Sequence, residues 1–250
     1  MKFSQSMPKI RQFVISLVTI FCLALCLGCG GKEPPRQSKR VFIVLVDETE
    51  SFALYNEKGV IEQMYWTKVI QLVNWIVNSL KPGDEFGLIG IDEHGFDEDD
   101  VRVPFELLDE GFLKAKMSKD RVAKTVSELQ QRKQKHKNTD ILGALYHAAY
   151  FASKEPDRHA IIFCFSDMKQ EPRWPTEEEA RTLDFPYGTE AYFFYVNASG
   201  RTNWETIVQV WNSILTRARL QIHTDNLLNF FQKGESEKAL KQILTKLAER

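Results

Sequence analysis

Residues 41–51 read Val41-Phe42-Ile43-Val44-Leu45-Val46-Asp47-Glu48-Thr49-Glu50-Ser51. An apolar run with no polar alternation is the pattern of a strand covered on both faces, as in a parallel sheet. The oxygen-rich pentapeptide Asp47–Ser51 follows at that strand's C-terminal end. Ligands of open parallel sheets bind outside the carboxyl ends of the strands, so this cluster points at a hard-metal or anion site.

Further along the chain, Phe86 to Ile91, Ala160 to Phe165 and Ala191 to Val196 repeat the continuously apolar pattern. Arg102 to Leu108 is interrupted by Pro104 and reads as an edge strand, and a sixth strand is expected near Leu220 to His223. Between them, Trp66, Val69, Ile70, Val73, Ile76, Val77 and Leu80 recur at helical spacing up to the stop Lys81-Pro82-Gly83. Ile141, Leu145, Ala148, Ala149 and Ala152 form a second apolar stripe. Trp204, Ile207, Val208, Trp211, Ile214 and Leu215 form a third, and Leu240, Ile243, Leu244 and Leu247 a fourth. Strand and helix in this rhythm predict an α/β fold: a doubly wound, mostly parallel central sheet with helices on both faces and right-handed crossovers.

The 250 residues suit one such domain plus a leader. A hydrophobic share of 43% beside 27% charged residues excludes a disordered or multi-spanning chain, and a formal net charge of -1 gives no bias towards nucleic acid. The first residues differ in kind. Lys2, Lys9 and Arg11 precede an apolar run from Phe13 to Leu27, which falls short of the roughly 20 residues a spanning helix needs but suits the apolar core of an export signal. It ends in Leu25-Cys26-Leu27-Gly28-Cys29-Gly30, similar to a bacterial lipobox, with Cys29 as the lipid attachment site and Cys26 where such motifs carry an aliphatic residue. An uncleaved anchor and ordinary cleavage near Gly28 are the alternatives. The expected organisation is therefore a leader over 1–29, a spacer over 30–40 containing Pro34-Pro35, and one domain over 41–250. All of these readings put the domain outside the cytoplasm, in the periplasm or at the cell surface, and the lipidated and uncleaved forms are anchored to a membrane. Cys164, alone in its strand, reads as a small buried hydrophobe, so no internal disulfide is expected.

Two distant segments complete the oxygen set: Asn138-Thr139-Asp140-Ile141-Leu142-Gly143 before a helix, and Phe165-Ser166-Asp167 after a strand. Together with Asp47-x-Thr49-x-Ser51 they resemble the von Willebrand factor A domain and its metal-ion-dependent adhesion site. That family carries D-x-S-x-S after strand one, a Thr before a central helix and an Asp after strand four. Lys81 to Leu88 also looks like the turn into the family's second strand, and the resemblance spans roughly residues 40 to 230. Thr49 replaces a Ser and Met168 replaces a common Gly, and neither change removes an oxygen.

The resemblance implies a site for Mg2+ (or Mn2+ or Ca2+) built from Asp47, Thr49, Ser51, Thr139 and Asp167. Thr49, Ser51 and Thr139 would touch the ion, and Asp47 and Asp167 would act largely through bound water. Mg2+ seeks about six oxygens, and a set poor in carboxylates leaves it able to accept a Glu or Asp carboxylate from a protein partner. Taken singly, Thr49, Ser51 and Thr139 read first as turn or helix-cap residues, and it is the three-part spacing that favours the metal site.

Other features point to less. Asp97-Glu98-Asp99-Asp100 lacks the spacing of a calcium loop and reads as solvated. Arg132-Lys133-Gln134-Lys135-His136-Lys137 reads as a basic helix end, and export argues against nucleic acid as a partner. His94, His147, His159 and His223 have no ligand spacing and read as structural or surface residues. Asp92, at a strand end, is assigned to the surface, with a place behind the metal ligands as the alternative. Trp174 lies in the loop after Asp167 and is either a partner contact or a lid on its own domain.

The expected function is a non-enzymatic binding module that recognises a protein partner through a divalent cation. A metal-assisted phosphoester hydrolase on the same rim is the second class, but the chain has no Gly-rich phosphate loop, nucleophile elbow or Cys-His pairing. A structural domain of the same family that binds without metal is the third.

Overall fold

The expected spacer over 30–40 is corrected at its last residue, because Arg40 opens strand β1 (Arg40–Asp47) and its side chain is buried rather than solvated. Its guanidinium forks onto Asp84, with Nε to Oδ1 at 3.0 Å and Nη2 to Oδ2 at 2.6 Å, and Nη1 donates to the Leu247 carbonyl at 2.7 Å. A charge can sit at the start of a buried strand when every donor finds such a partner.

The computed structural model describes residues 40–49, 60–93, 100–108, 111–129, 138–170, 173, 176–195, 204–218, 220–223 and 235–249. All fall within one unit, Ser38–Arg250. The leader with Cys29, most of the spacer, Ser51, Asp97 to Asp99, the basic run Arg132 to Lys137, and Trp174 lie outside the described residues.

After β1 the elements run α1 (Val60–Ser79), β2 (Glu85–Ile91), β3 (Val101–Leu107), α2 (Phe112–Leu129), α3 (Ile141–Lys154), β4 (His159–Ser166), α4 (Glu177–Arg181), β5 (Glu190–Tyr195), α5 (Trp204–Arg217), β6 (Gln221–His223) and α6 (Glu235–Glu249). The strands form a six-stranded sheet in the order β3-β2-β1-β4-β5-β6. Every pairing is parallel except β2 with β3, so the strand carrying Pro104 is the expected edge, and antiparallel.

All eight residues of β1 are buried, as are seven of the eight in β4. Both faces of the sheet are therefore covered, which is why these strands show no polar alternation. On the helical layers, α1 packs against α2 and α6, α3 against β1 and β2, and α4 against α5. Aromatic rings cross the sheet: Phe163 stacks on Tyr192 of the neighbouring strand at 5.3 Å, and Phe165 on Phe194 at 4.9 Å.

The stop after α1 is built as its residues require. Pro82 cannot continue a helix, Gly83 supplies φ 87°, and the Asp84 carboxylate accepts the Lys81 amide at 2.6 Å. Among the described residues no helix is long and apolar enough to cross a membrane.

The strand order reverses between β1 and β4. The chain leaves β1 towards β2 and β3, then returns to lay β4 on the other side. The carboxyl ends of two adjacent parallel strands thereby diverge into separate loops, which opens a crevice at this point of a doubly wound sheet.

Candidate metal centre

Asp47 ends β1 beside the end of β4, where the register Val46 with Phe165 brings Ser166 alongside it. The Ser166 hydroxyl donates to Asp47 Oδ2 at 2.6 Å. The other carboxylate oxygen accepts from Thr49, through the backbone amide at 3.0 Å and the hydroxyl at 2.5 Å. This is a side-chain turn that folds the chain back as soon as the strand ends. The Thr139 hydroxyl, 90 positions further on, donates to Thr49 Oγ1 at 3.1 Å. Asp47, Thr49 and Thr139 are each fully buried, so their oxygens form one chain beneath the rim.

The cap of α3 separates two readings of Thr139. Asp140, not Thr139, is the N-cap, accepting the Gly143 amide on Oδ1 at 3.0 Å. Thr139 is thus released from capping and turns its hydroxyl to the oxygen cluster.

Asp167 follows β4 and is almost buried. Its Oδ1 accepts the Lys169 amide at 2.9 Å, while Ser166 Oγ accepts the Met168 amide at 2.9 Å. Met168, where glycine was the expected family residue, has φ 59° and is fully buried. A non-glycine residue in the left-handed region is strained. Here the neighbours hold it: Trp211 Nε1 of α5 donates to the Met168 carbonyl at 2.8 Å, and the Cys164 thiol lies 3.9 Å from the Met168 sulfur.

Burial pushes Asp47 up from the usual carboxylate value to about 8, with the neighbouring Asp167 charge adding to the rise and the Ser166 and Thr49 hydrogen bonds opposing it. Desolvation penalises the charged form, and here it outweighs three favourable hydrogen bonds. The Cys164 thiol is raised by the same burial and by Asp47, as expected for an inert buried hydrophobe. Among the described residues no group of three or more His, Cys, Asp or Glu is placed to hold a metal ion. A cation in this rim would therefore rest on hydroxyls as much as on carboxylates.

Of the five sequence-derived metal residues, Asp47, Thr49 and Thr139 are joined by hydrogen bonds and Asp167 lies close enough to act on Asp47. Ser51 falls outside the described residues. The surface assignment of Asp92 is corrected: it is buried, and Arg102 reaches it through Nη2 at 3.0 Å. Arg102 Nε also holds Glu48 Oε2 at 2.9 Å, and Asp100 lies 3.7 Å from the same guanidinium. Asp100 is therefore buried too, unlike the solvated loop expected of it. Gly90 leaves room for this arginine, since a Cβ there would stand 2.8 Å from Arg102 Nε. The Asp92 carbonyl accepts the Asp140 amide at 2.7 Å, tying β2's end to the loop of Thr139.

Sequence reading assigned no role to Ser166, Asp140, Gln170 or Arg102. Ser166 and Asp140 adjoin motif residues, and that adjacency was the available signal. Gln170 and Arg102 had none.

No protein-family model matches the chain, and no curated protein matches it. Solved structures do. The PilB minor pilin from Streptococcus sanguinis is similar with a TM-score of 0.55 at 9% identity, over 87% of this chain and 62% of that one. A von Willebrand factor type A protein from Catenulispora acidiphila gives 0.52 at 12% identity, over 84% and 42%. The open conformation of the pilus adhesin SpaC from Lactobacillus rhamnosus GG gives 0.52 at 10% identity, over 87% and 31%. The chain thus spans less than two thirds of each of these three proteins, and at such identities the likeness is one of fold. Together with the sheet order, it gives the domain the fold seen in the von Willebrand factor type A protein.

Proposed function

We propose that this chain is an extracytoplasmic, membrane-anchored binding module that grips a protein partner through a divalent cation, Mg2+ or a similar ion, held by Asp47, Thr49, Ser51, Thr139 and Asp167. The observation that carries the reading is the hydrogen-bonded chain from Thr139 to Thr49 to Asp47, at 3.1 and 2.5 Å, assembled from segments 90 positions apart. Two oxygens on adjacent corners of an octahedron with metal–oxygen distances of about 2.1 Å lie about 3 Å apart, so the Thr139–Thr49 spacing suits a shared Mg2+. Two carboxylates, one of them raised by burial beside the other, favour a cation over the anion that hydroxyls alone would equally serve.

In this reading, Asp47 orients Thr49 by accepting from both its amide and its hydroxyl, and Ser166 fixes the second Asp47 oxygen. Asp167 adds negative charge from the neighbouring loop. A cation held mainly by neutral hydroxyls keeps its charge available, and that is what a Glu or Asp side chain of the partner would meet. Binding, rather than turnover, is the proposed activity. The placement outside the cytoplasm rests on Lys2, Lys9, Arg11, the apolar run Phe13 to Leu27 and Cys29.

Calorimetric titration with Mg2+ and with Mn2+, beside Asp47→Ala, tests the site. Saturable heat is expected in the wild type and none in the variant. Equal heat in both proteins excludes this site, and hydrolysis of a phosphoester lost on Asp47→Ala would replace binding with catalysis.

A further inference from the structure

Gln170 lies outside every motif that pointed to the site, three residues beyond Asp167. Its side-chain amide reaches out of the β4 loop to the start of α3. Nε2 donates to Asp140 Oδ1 at 3.0 Å, and Oε1 accepts the Leu142 amide at 3.1 Å. Asp140 Oδ1 also holds the Gly143 amide at 3.0 Å, so Gln170 completes the cap of α3 from another segment of the chain. An amide is needed for this, because one atom must accept from a helix N–H while the other donates to the cap carboxylate. Glutamate would place a second negative charge against Asp140, and a hydrocarbon would leave the Leu142 amide without this acceptor.

Thr139 and Asp167 belong to the two loops that Gln170 joins. Their spacing is not set by sheet pairing, since Thr139 precedes a helix and Asp167 stands one residue past the last residue of β4. We infer that Gln170 is a positioning residue of the cation site, holding the Asp167 loop against the N-terminus of α3 so that the Thr139 hydroxyl and the Asp167 carboxylate face one ion. The inference rests on the proposed reading of Asp47, Thr49, Thr139 and Asp167 as cation ligands. Side chains that orient ligands from behind typically change metal affinity by about 10–100-fold when removed. Gln170 is only half-buried, so its loss is expected to leave the fold in place.

The test is Mg2+ and Mn2+ calorimetry on the full chain for wild type, Asp47→Ala, Gln170→Ala, Gln170→Glu, and Gln170→Glu combined with Asp140→Asn, each with a metal-free thermal melt. Gln170→Ala is expected to weaken Mg2+ binding by about tenfold or more while its metal-free melt stays close to that of wild type. Gln170→Glu is expected to weaken binding similarly. In the double variant the side-chain amide at position 140 can still cap the Gly143 amide through its oxygen while its nitrogen donates to the carboxylate at position 170, whose other oxygen accepts the Leu142 amide. Most of the loss is therefore expected to be recovered, which a general loosening of the loop would not do. Wild-type affinity in Gln170→Ala, or no recovery in the double variant, overturns the role of Gln170 while leaving the cation site standing. Absence of heat in the wild type overturns the cation reading, and this inference with it.

Discussion

Trp211 Nε1 donates to the Met168 carbonyl at 2.8 Å, and Met168 is held at φ 59° directly after Asp167. The bond ties α5 to the loop that supplies one side of the rim. Two opposing effects meet at Met168. Glycine there would relieve strain of about 1–3 kcal/mol. It would also delete a fully buried side chain, and core deletions of this size cost about 2–5 kcal/mol. Loss of burial outweighs relief of strain, so Met168→Gly is expected to lower stability by about 1–3 kcal/mol in urea unfolding. A more stable variant would show that strain dominates. Trp211→Phe, which keeps a ring but not the donor, is expected to cost about 1 kcal/mol or more.

The metal-free domain should lose stability as pH rises. Folded Asp47 keeps its proton up to about pH 8, whereas an ordinary carboxyl of the unfolded chain releases it near 3.8. Between those values the folded state binds more protons, so this group's contribution falls across the window and its full penalty is present above about 8. Asp47→Asn should flatten that slope. Urea midpoints measured in chelator across the window decide it, and a wild-type slope that survives Asp47→Asn unchanged assigns it elsewhere. Saturating Mg2+ is expected to stabilise the wild type most at the alkaline end, where Asp47 is already ionised.

Asp84 holds the opposite pole. It is fully buried, accepts two bonds from Arg40 and one from the Lys81 amide, and Arg40 in turn holds the Leu247 carbonyl near the end of α6. Removing one partner of a buried ion pair strands the other, at a cost of about 3–5 kcal/mol. Asp84→Ala should therefore lose that much in chemical denaturation, and amides in the last turn of α6 should exchange faster. A loss below about 1 kcal/mol would place the pair with weak surface bridges.

Gly87 lies under the Phe105 ring. A Cβ at residue 87 would stand 2.5 Å from that ring, which is stacked on Phe151 at 3.8 Å and cannot simply retreat. Gly87→Ala is expected to cost about 1–3 kcal/mol through overpacking. Combining it with Phe105→Leu should recover part of the loss. A double-mutant cycle with coupling near zero would show that the methyl is accommodated without the ring.

The layers and the location of the rim were legible in the chain alone. Val41 to Val46 and Ala160 to Phe165 show no polar alternation because both faces of β1 and β4 are covered, and burial of two faces is a property that composition records residue by residue. Pro104 likewise marked an edge strand, because a missing N–H is a local fact. Asp47, Thr49, Thr139 and Asp167 were legible as a set only through the family resemblance, since nothing local distinguishes a site hydroxyl from a capping one. Folding makes Asp140 the cap of α3 and turns the Thr139 hydroxyl towards Thr49. It also buries Asp92 and Asp100 around Arg102, joins two loops through Gln170, and draws Arg40 into the sheet. Periodicity reports which face of an element is covered. It carries no information on which buried donor meets which acceptor across loops, because that pairing is fixed only when the packed layers bring distant strand ends to a common rim.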